Sequence, residues 1–115
     1  EARITLPPDG TRMGFAEFSR RAGDFALAMA LVFYRLEGDA IVEARIGIGG
    51  AEDRPRRIAE AESALIGHAA DQDAIEAAAD AVTDSLDPME DHATDAAYRR
   101  ELARTLCLRA LMGAR

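Results

Sequence analysis

A chain of 115 residues is the size of one domain, and an apolar fraction of 49% supports a modest core. The net charge of −7, with all 14 basic residues arginine, argues against general nucleic-acid binding and against attraction to anionic membranes. The absence of lysine removes Schiff-base chemistry and any phosphate loop that ends in Lys.

The one cysteine, Cys107, rules out a disulfide within the chain and fits a reducing, cytoplasmic compartment. No apolar run approaches the ~20 residues that span a bilayer, and no signal peptide is visible. The chain opens on Glu1 with a strand already under way. That leaves two readings: residues further upstream, or a lost leading methionine.

Arg3–Leu6 alternates as a short strand and stops at the turn Pro7-Pro8-Asp9-Gly10. Phe15 and Phe18 fall three apart, which predicts a helix of about two turns ending near Arg21, with Gly23 just past its end. Asp24 to Leu36 reads as a long strand. Its large residues Phe25, Leu27, Met29, Leu31 and Phe33 share one face; Ala26, Ala28 and Ala30 start the other, which continues with Val32 and Tyr34. Two apolar faces imply that both are covered. Glu37-Gly38-Asp39 marks a hairpin, and Ala40–Ile48 is the return strand.

From Arg56 the pattern becomes helical, with Ile58, Ala61, Glu62 and Leu65 as a stripe closed by Gly67. A second helix is expected over about Asp73–Leu86 and stops at Asp87-Pro88. Thr94 or Asp95 caps a third that reaches about Met112, with Tyr98, Leu102, Leu106 and Ala110 as its line. Strands first and helices later predict an α+β fold.

Few residues carry chemistry. Arg20-Arg21-Ala22-Gly23-Asp24 has two readings: the edge of a cofactor site, or a helix end where arginines meet the macrodipole and Asp24 pairs with one of them. Gly47-Ile48-Gly49-Gly50 has the wrong spacing for a dinucleotide fingerprint and reads as a strand end with a bulge or close approach. His68 and His92 stand apart and read as surface loop residues, too few for a zinc site. Asp87, Glu90, Asp91 and Asp95 lack calcium-loop spacing and read as helix punctuation. Cys107 is expected to be buried, Tyr98 to be a core anchor in preference to an interface tyrosine, and Arg99, Arg100, Arg104 and Arg109 to form a solvated or acid-paired flank that could also meet a partner subunit. No catalytic dyad or triad can be placed.

Taken in order, these segments resemble the C-terminal domain of the FAD-binding (medium) subunit of the molybdenum hydroxylases, the carbon monoxide dehydrogenase and xanthine dehydrogenase type. The resemblance rests on Arg3-Ile4 with Leu6-Pro7-Pro8, on Phe18-Ser19-Arg20-Arg21-Ala22-Gly23-Asp24-Phe25-Ala26, and on Ala44–Gly50. It continues through Arg54-Pro55 with Ala59–Gly67, and through Asp87-Pro88, Asp91-His92-Ala93 and Ala97–Leu102.

The resemblance implies an antiparallel three- to four-stranded sheet packed against about three helices. It makes residues 1–115 a single domain, expected to be a fragment of a longer FAD subunit. The family's FAD is held mainly by N-terminal subdomains with glycine-rich loops that have no counterpart here. By the same resemblance, Phe15, Glu17, Arg20, Arg21 and Asp24 are the residues beside the flavin. Glu17 stands where many members have lysine, so a lysine–flavin contact is lost or replaced. The molybdenum cofactor and iron–sulfur clusters would lie in partner subunits, and the isolated domain would have no oxidoreductase activity. The contrasting expectation is a stand-alone α+β interaction or small-ligand-binding module, dimeric through a sheet edge and without redox activity.

Overall fold

The computed structural model describes residues 10–19, 27–88 and 95–115. Within them lie four strands, β1 (Arg12–Phe18), β2 (Ala28–Glu37), β3 (Ala40–Gly49) and β4 (Arg56–Arg57). Three helices follow: α1 (Ala59–Leu65), α2 (Gln72–Ser85) and α3 (Ala96–Ala114). The strands neighbour one another in chain order, β1-β2-β3-β4, and every pairing is antiparallel. This is the expected α+β architecture. The expected strand at Arg3–Leu6, the segment Arg20–Ala26 and residues Met89–Thr94 lie outside the described residues.

The β2–β3 hairpin is the longest pairing and the best anticipated. Gly38 opens its turn at φ +61°, a backbone state that suits glycine at the first central position of a two-residue loop. Close to the turn the register slips between Arg35 and Leu36, which pair with Glu43 and Ile41. Val42 is the extra residue of this bulge and is left exposed.

Where a helix was expected around Phe15, the chain forms β1, paired with β2 from Arg12↔Tyr34 to Phe18↔Ala28. The i, i+3 spacing of the two phenylalanines misled because the true period is two. Gly14 and Ala16 alternate with Met13, Phe15 and Glu17, and a strand sends such alternate residues to opposite faces. Helix α3 lies directly on Gly14: a Cβ there would collide with the Ala110 carbonyl. Glycine at this position lets two backbones touch.

A second correction concerns Arg56 and Arg57. After Pro55 they form a short strand, pairing with Ile48 and Gly47, and the Ile58 N–H donates to the Ile46 carbonyl at 2.9 Å. The sheet therefore gains a fourth strand before α1 starts at Ala59. The expected second and third helices are present. Asp71 caps α2, accepting from the Ala74 N–H at 2.9 Å, and Asp95 caps α3, accepting from the Tyr98 N–H at 2.7 Å.

Helices α1 and α3 pack on one face of the sheet, and α2 bridges them, with its last carbonyl, that of Ser85, accepting from the Arg56 guanidinium of β4. Between sheet and helices lie Ala28, Ala30, Val32, Tyr34, Ala44, Ile46 and Ile48, against Leu106, Cys107, Ala110 and Leu111 of α3. Small residues on the strands let α3 approach closely. Each fully buried Val, Leu or Ile contributes roughly 1.5–3 kcal/mol, so this single layer carries most of the fold. No described helix is long and apolar enough to cross a membrane.

The buried face of α3 is Arg99, Ala103, Leu106, Cys107, Ala110, Leu111 and Ala114. It is rotated by about one residue from the expected line. Tyr98 is consequently 45% exposed rather than in the core, while Arg99, expected on a solvated flank, is 5% exposed. Burial of Arg99 is offset by a hydrogen bond to the Gly50 carbonyl at 2.7 Å. Arg104 does pair with an acid, Asp80, at 2.8 Å.

Candidate functional site

The sheet has two faces and the helices cover one. On the other, cross-strand register sets three rows of side chains. Met13, Phe33 and Arg45 form the first, Phe15, Leu31 and Gly47 the second, and Glu17, Met29 and Gly49 the third. Met13 is 62% exposed, Phe15 54% and Leu31 40%; Phe33 and Met29 are half-buried. Exposed apolar residues clustered this way, unlike scattered ones, mark a surface that meets another body.

The glycines shape this face. A Cβ on Gly47 would come no nearer than 3.8 Å to any neighbouring group, so the floor beside Leu31 is open. A Cβ on Gly49 would lie 2.9 Å from Met29 Cγ and 3.2 Å from its Sδ. The Met29 side chain therefore leans over Gly49, towards β3 and away from Glu17. The strand ends at Gly49, as expected there, but no backbone packs closely on Gly47 or Gly49, and the bulge lies elsewhere, at Val42.

Among the described residues, charge sits at the ends of this face and at its β4 edge, where Arg57 pairs with Gly47 and its guanidinium is held by Glu62. Arg35 and Arg45 reach Glu43 at 3.5 Å each, and Glu17 stands at the opposite end. Of the residues expected beside a cofactor, Phe15 and Glu17 are brought together as alternate residues on this face. Arg20, Arg21 and Asp24 fall outside the described residues. The sequence reading missed the contribution of Met13, Gly47 and Gly49. The signal was present in the large residues of β2, which alternate with alanines and give that strand two apolar faces.

The most organised polar group lies on the helix side and has a structural role. Glu62, expected in the apolar stripe of α1, is 6% exposed. Its Oε2 accepts from the Ile46 N–H at 2.9 Å and from Arg57 Nε at 3.0 Å, and its Oε1 accepts from Arg57 Nη2 at 2.7 Å. Burial opposes the charge, but the Arg57 hydrogen bonds, the Ile46 N–H and the nearby guanidiniums of Arg57 and Arg45 outweigh it. The carboxyl is held below its ordinary value. Both oxygens are committed to tying β3, β4 and α1 together, and the lowered carboxyl makes Glu62 a poor base.

Other candidates are equally committed. Burial pushes the Cys107 thiol up to about 12, which keeps it protonated and unreactive. His68 is exposed, and its carbonyl accepts from the Ile41 N–H at 2.8 Å, tying the loop after α1 to β3. An open recess of about 500 Å³ is lined by Glu52, Asp53, Arg56, Asp87 and Pro88. There Glu52 accepts from the Asp87 N–H at 2.8 Å and pairs with Arg56 at 3.6 Å, which ties the chain after α2 to the loop before β4. No group of three metal-ligating side chains occurs among the described residues. His92, Glu90 and Asp91 lie outside them.

Comparison with known proteins converges. A family model described as CO dehydrogenase flavoprotein C-terminal domain matches residues 14–114. The glyceraldehyde dehydrogenase medium chain of Sulfolobus acidocaldarius is 33% identical over 89% of this chain and 36% of its own length. The carbon monoxide dehydrogenase medium chain of Hydrogenophaga pseudoflava is 32% identical over 99% of this chain and 40% of its own. The solved carbon monoxide dehydrogenase from Hydrogenophaga pseudoflava superposes with a TM-score of 0.91 at 32% identity, covering 96% of this chain and 39% of that one. Quinoline 2-oxidoreductase from Pseudomonas putida 86 gives a TM-score of 0.85 at 31% identity, covering 95% and 38%. The chain thus spans about two fifths of the length of the curated relatives it matches.

Proposed function

The chain belongs to the CO dehydrogenase flavoprotein C-terminal domain family, and from that premise we propose that it is the C-terminal part of the FAD-binding medium subunit of a molybdenum hydroxylase-type oxidoreductase. The observation that carries this reading is the match to medium chains over nearly all of these residues at about a third identity. It favours an assembly component over a stand-alone module.

In this reading the open sheet face closes one side of a flavin site, with Phe15, Glu17, Arg20, Arg21 and Asp24 nearest the cofactor. The donors on the face support a division of labour. Phe15, Leu31 and the bare backbone of Gly47 offer an apolar platform suited to a planar ring system. They offer nothing suited to a pyrophosphate, which needs converging N–H donors or a helix N-terminus. The phosphates would be held by the remainder of the subunit, whose domains are the first partner of this face. FAD, when bound, supplies a reversible two-electron couple.

The role of this chain is then to position and shield. Phe15 and Leu31 exclude water from the ring, and the Glu62–Arg57 knot keeps β3 and β4 rigid behind the platform. Molybdenum cofactor and iron–sulfur clusters are assigned to partner subunits in the cytoplasm by the same reading.

The test is the intact mass and colour of the native gene product purified from its own host. A yellow chain well over twice this length, travelling with larger subunits, is the expected result. A colourless product of this chain's own size would overturn the proposal. These residues expressed alone are expected to show no micromolar FAD binding by fluorescence titration, since the phosphate-holding part is elsewhere.

A further inference from the structure

We infer that the Glu17 carboxylate sets the reduction potential of the bound flavin, holding it lower than a neutral or cationic residue would. The inference rests on the flavin-site reading above. It concerns how this chain tunes the cofactor rather than whether it meets one.

Three observations carry it. Glu17 and Phe15 are alternate residues of β1 on the open face, so a ring seated on Phe15 lies within reach of the carboxylate. The side chain across from Glu17 is Met29, which leans over Gly49 and leaves the carboxylate uncovered. The residues around it in the register, Phe15, Leu31, Met29 and Gly49, are all uncharged. Of the cations by this face, Arg35 and Arg45 sit towards the far end and are drawn to Glu43, and Arg57, at the β4 edge beside Gly47, is held by Glu62. Among the described residues, no ion pair neutralises Glu17.

A fixed negative charge beside an apolar platform is poorly screened once water is excluded. Reduction adds two electrons to the ring, with protons drawn from solvent, and any net negative charge left there is opposed by the carboxylate. Removing that charge favours the reduced form. For Glu17→Gln an order-of-magnitude expectation is a tenfold gain in reduced over oxidised flavin at fixed potential, which is about +30 mV for a two-electron couple. Glu17→Lys moves in the same direction and further.

The experiment is a dithionite titration against indicator dyes on the flavin-loaded full-length subunit, comparing wild type, Glu17→Gln, Glu17→Lys and Glu37→Gln. Glu37 lies at the hairpin turn, away from the platform, and its removal controls for net charge. Phe15→Ala is examined in parallel for its effect on flavin absorption and fluorescence. Upward shifts for both Glu17 variants, and none for Glu37→Gln, are the expected outcome. If Phe15→Ala alters the flavin spectrum but the Glu17 variants leave the midpoint unchanged, the tuning role is overturned and the flavin-site reading stands. If Glu37→Gln shifts the midpoint as much as Glu17→Gln, the effect is general charge and the tuning role falls. If neither Phe15→Ala nor any Glu17 variant perturbs the flavin, both fall together.

Discussion

The two faces of β1 and β2 invert the usual allocation of volume, whereas β3 keeps it, with Ile46 and Ile48 inside and Gly47 and Gly49 outside. Along β1 and β2, Gly14, Ala16, Ala28, Ala30 and Val32 stand against the helices, with bulk resuming only at Tyr34, and on the open side stand Met13, Phe15, Met29, Leu31 and Phe33. A sheet built to bury one side only would place its largest apolar residues under the helices and polar residues outside. Here small side chains bring α3 down onto the strand backbones, and bulk is kept for a second contact. The covered face decides whether the chain folds, and the open face decides what it joins.

Substitutions on the two faces should therefore separate stability from association. Leu106→Ala removes a fully buried side chain of α3 and is expected to cost about 2–5 kcal/mol in urea unfolding of the isolated chain. Gly14→Ala forces α3 off β1 through the collision with the Ala110 carbonyl, for about 1–3 kcal/mol by the same measurement. A cost near zero would mean that the helix can slide without penalty and that the close approach is incidental.

Glu62→Gln comes next. It weakens the bidentate contact to Arg57 and should cost on the order of 1–2 kcal/mol at neutral pH, discounted because the Arg57 side chain is 60% exposed and water can replace its partner. The pH dependence has a definite sign. The folded carboxyl sits below its ordinary value of 4.5, so the unfolded chain binds the extra proton first. The contribution of Glu62 is complete above about pH 4.5 and is lost as pH falls through the lower folded value. Wild type and Glu62→Gln should accordingly differ in urea midpoint at pH 7, and the difference should shrink as the pH is taken below the folded carboxyl's lowered value.

The smallest stability effect is expected on the open face. Phe15→Ser should change unfolding of the isolated chain by no more than about 1 kcal/mol, the worth of one cross-strand pair with Leu31. Its visible consequence should be less self-association in light scattering. A large stability loss there would show that the open face is part of the chain's own core and would break the comparison.

Much of the architecture was legible because its signals are local. The β2–β3 hairpin announces itself through two long apolar runs around Gly38, α2 through its periodicity and the stop at Asp87-Pro88, and α3 through a cap at Thr94 or Asp95. What escaped depended on distant partners. Phe15 and Phe18 read as helical until Gly14 meets α3, a contact from the other end of the chain. Tyr98 and Arg99 exchange roles because the Gly50 carbonyl, far away in sequence, claims the guanidinium. Glu62 counts in the sequence only as one member of a helical stripe, and only the arrival of Arg57 beside an Ile46 N–H makes burial of a carboxylate tolerable. The candidate site was half legible: the alternation along β2 revealed the second apolar face, whereas the glycine floor required the register between strands.

The seating of α3 on β1 has a consequence for synthesis. The first described strand receives its cover from the last helix, nearly the whole chain later. While a ribosome extends the polypeptide, Gly14 and Ala16 wait with one side bare until residues around Ala110 have emerged. Contacts that close so long a loop form late, and unpaired strands exposed in the meantime are prone to wrong partners. A chain cut short before α3 would lose far more than its final helix, because the strand carrying Phe15 and Glu17 would have nothing to rest on.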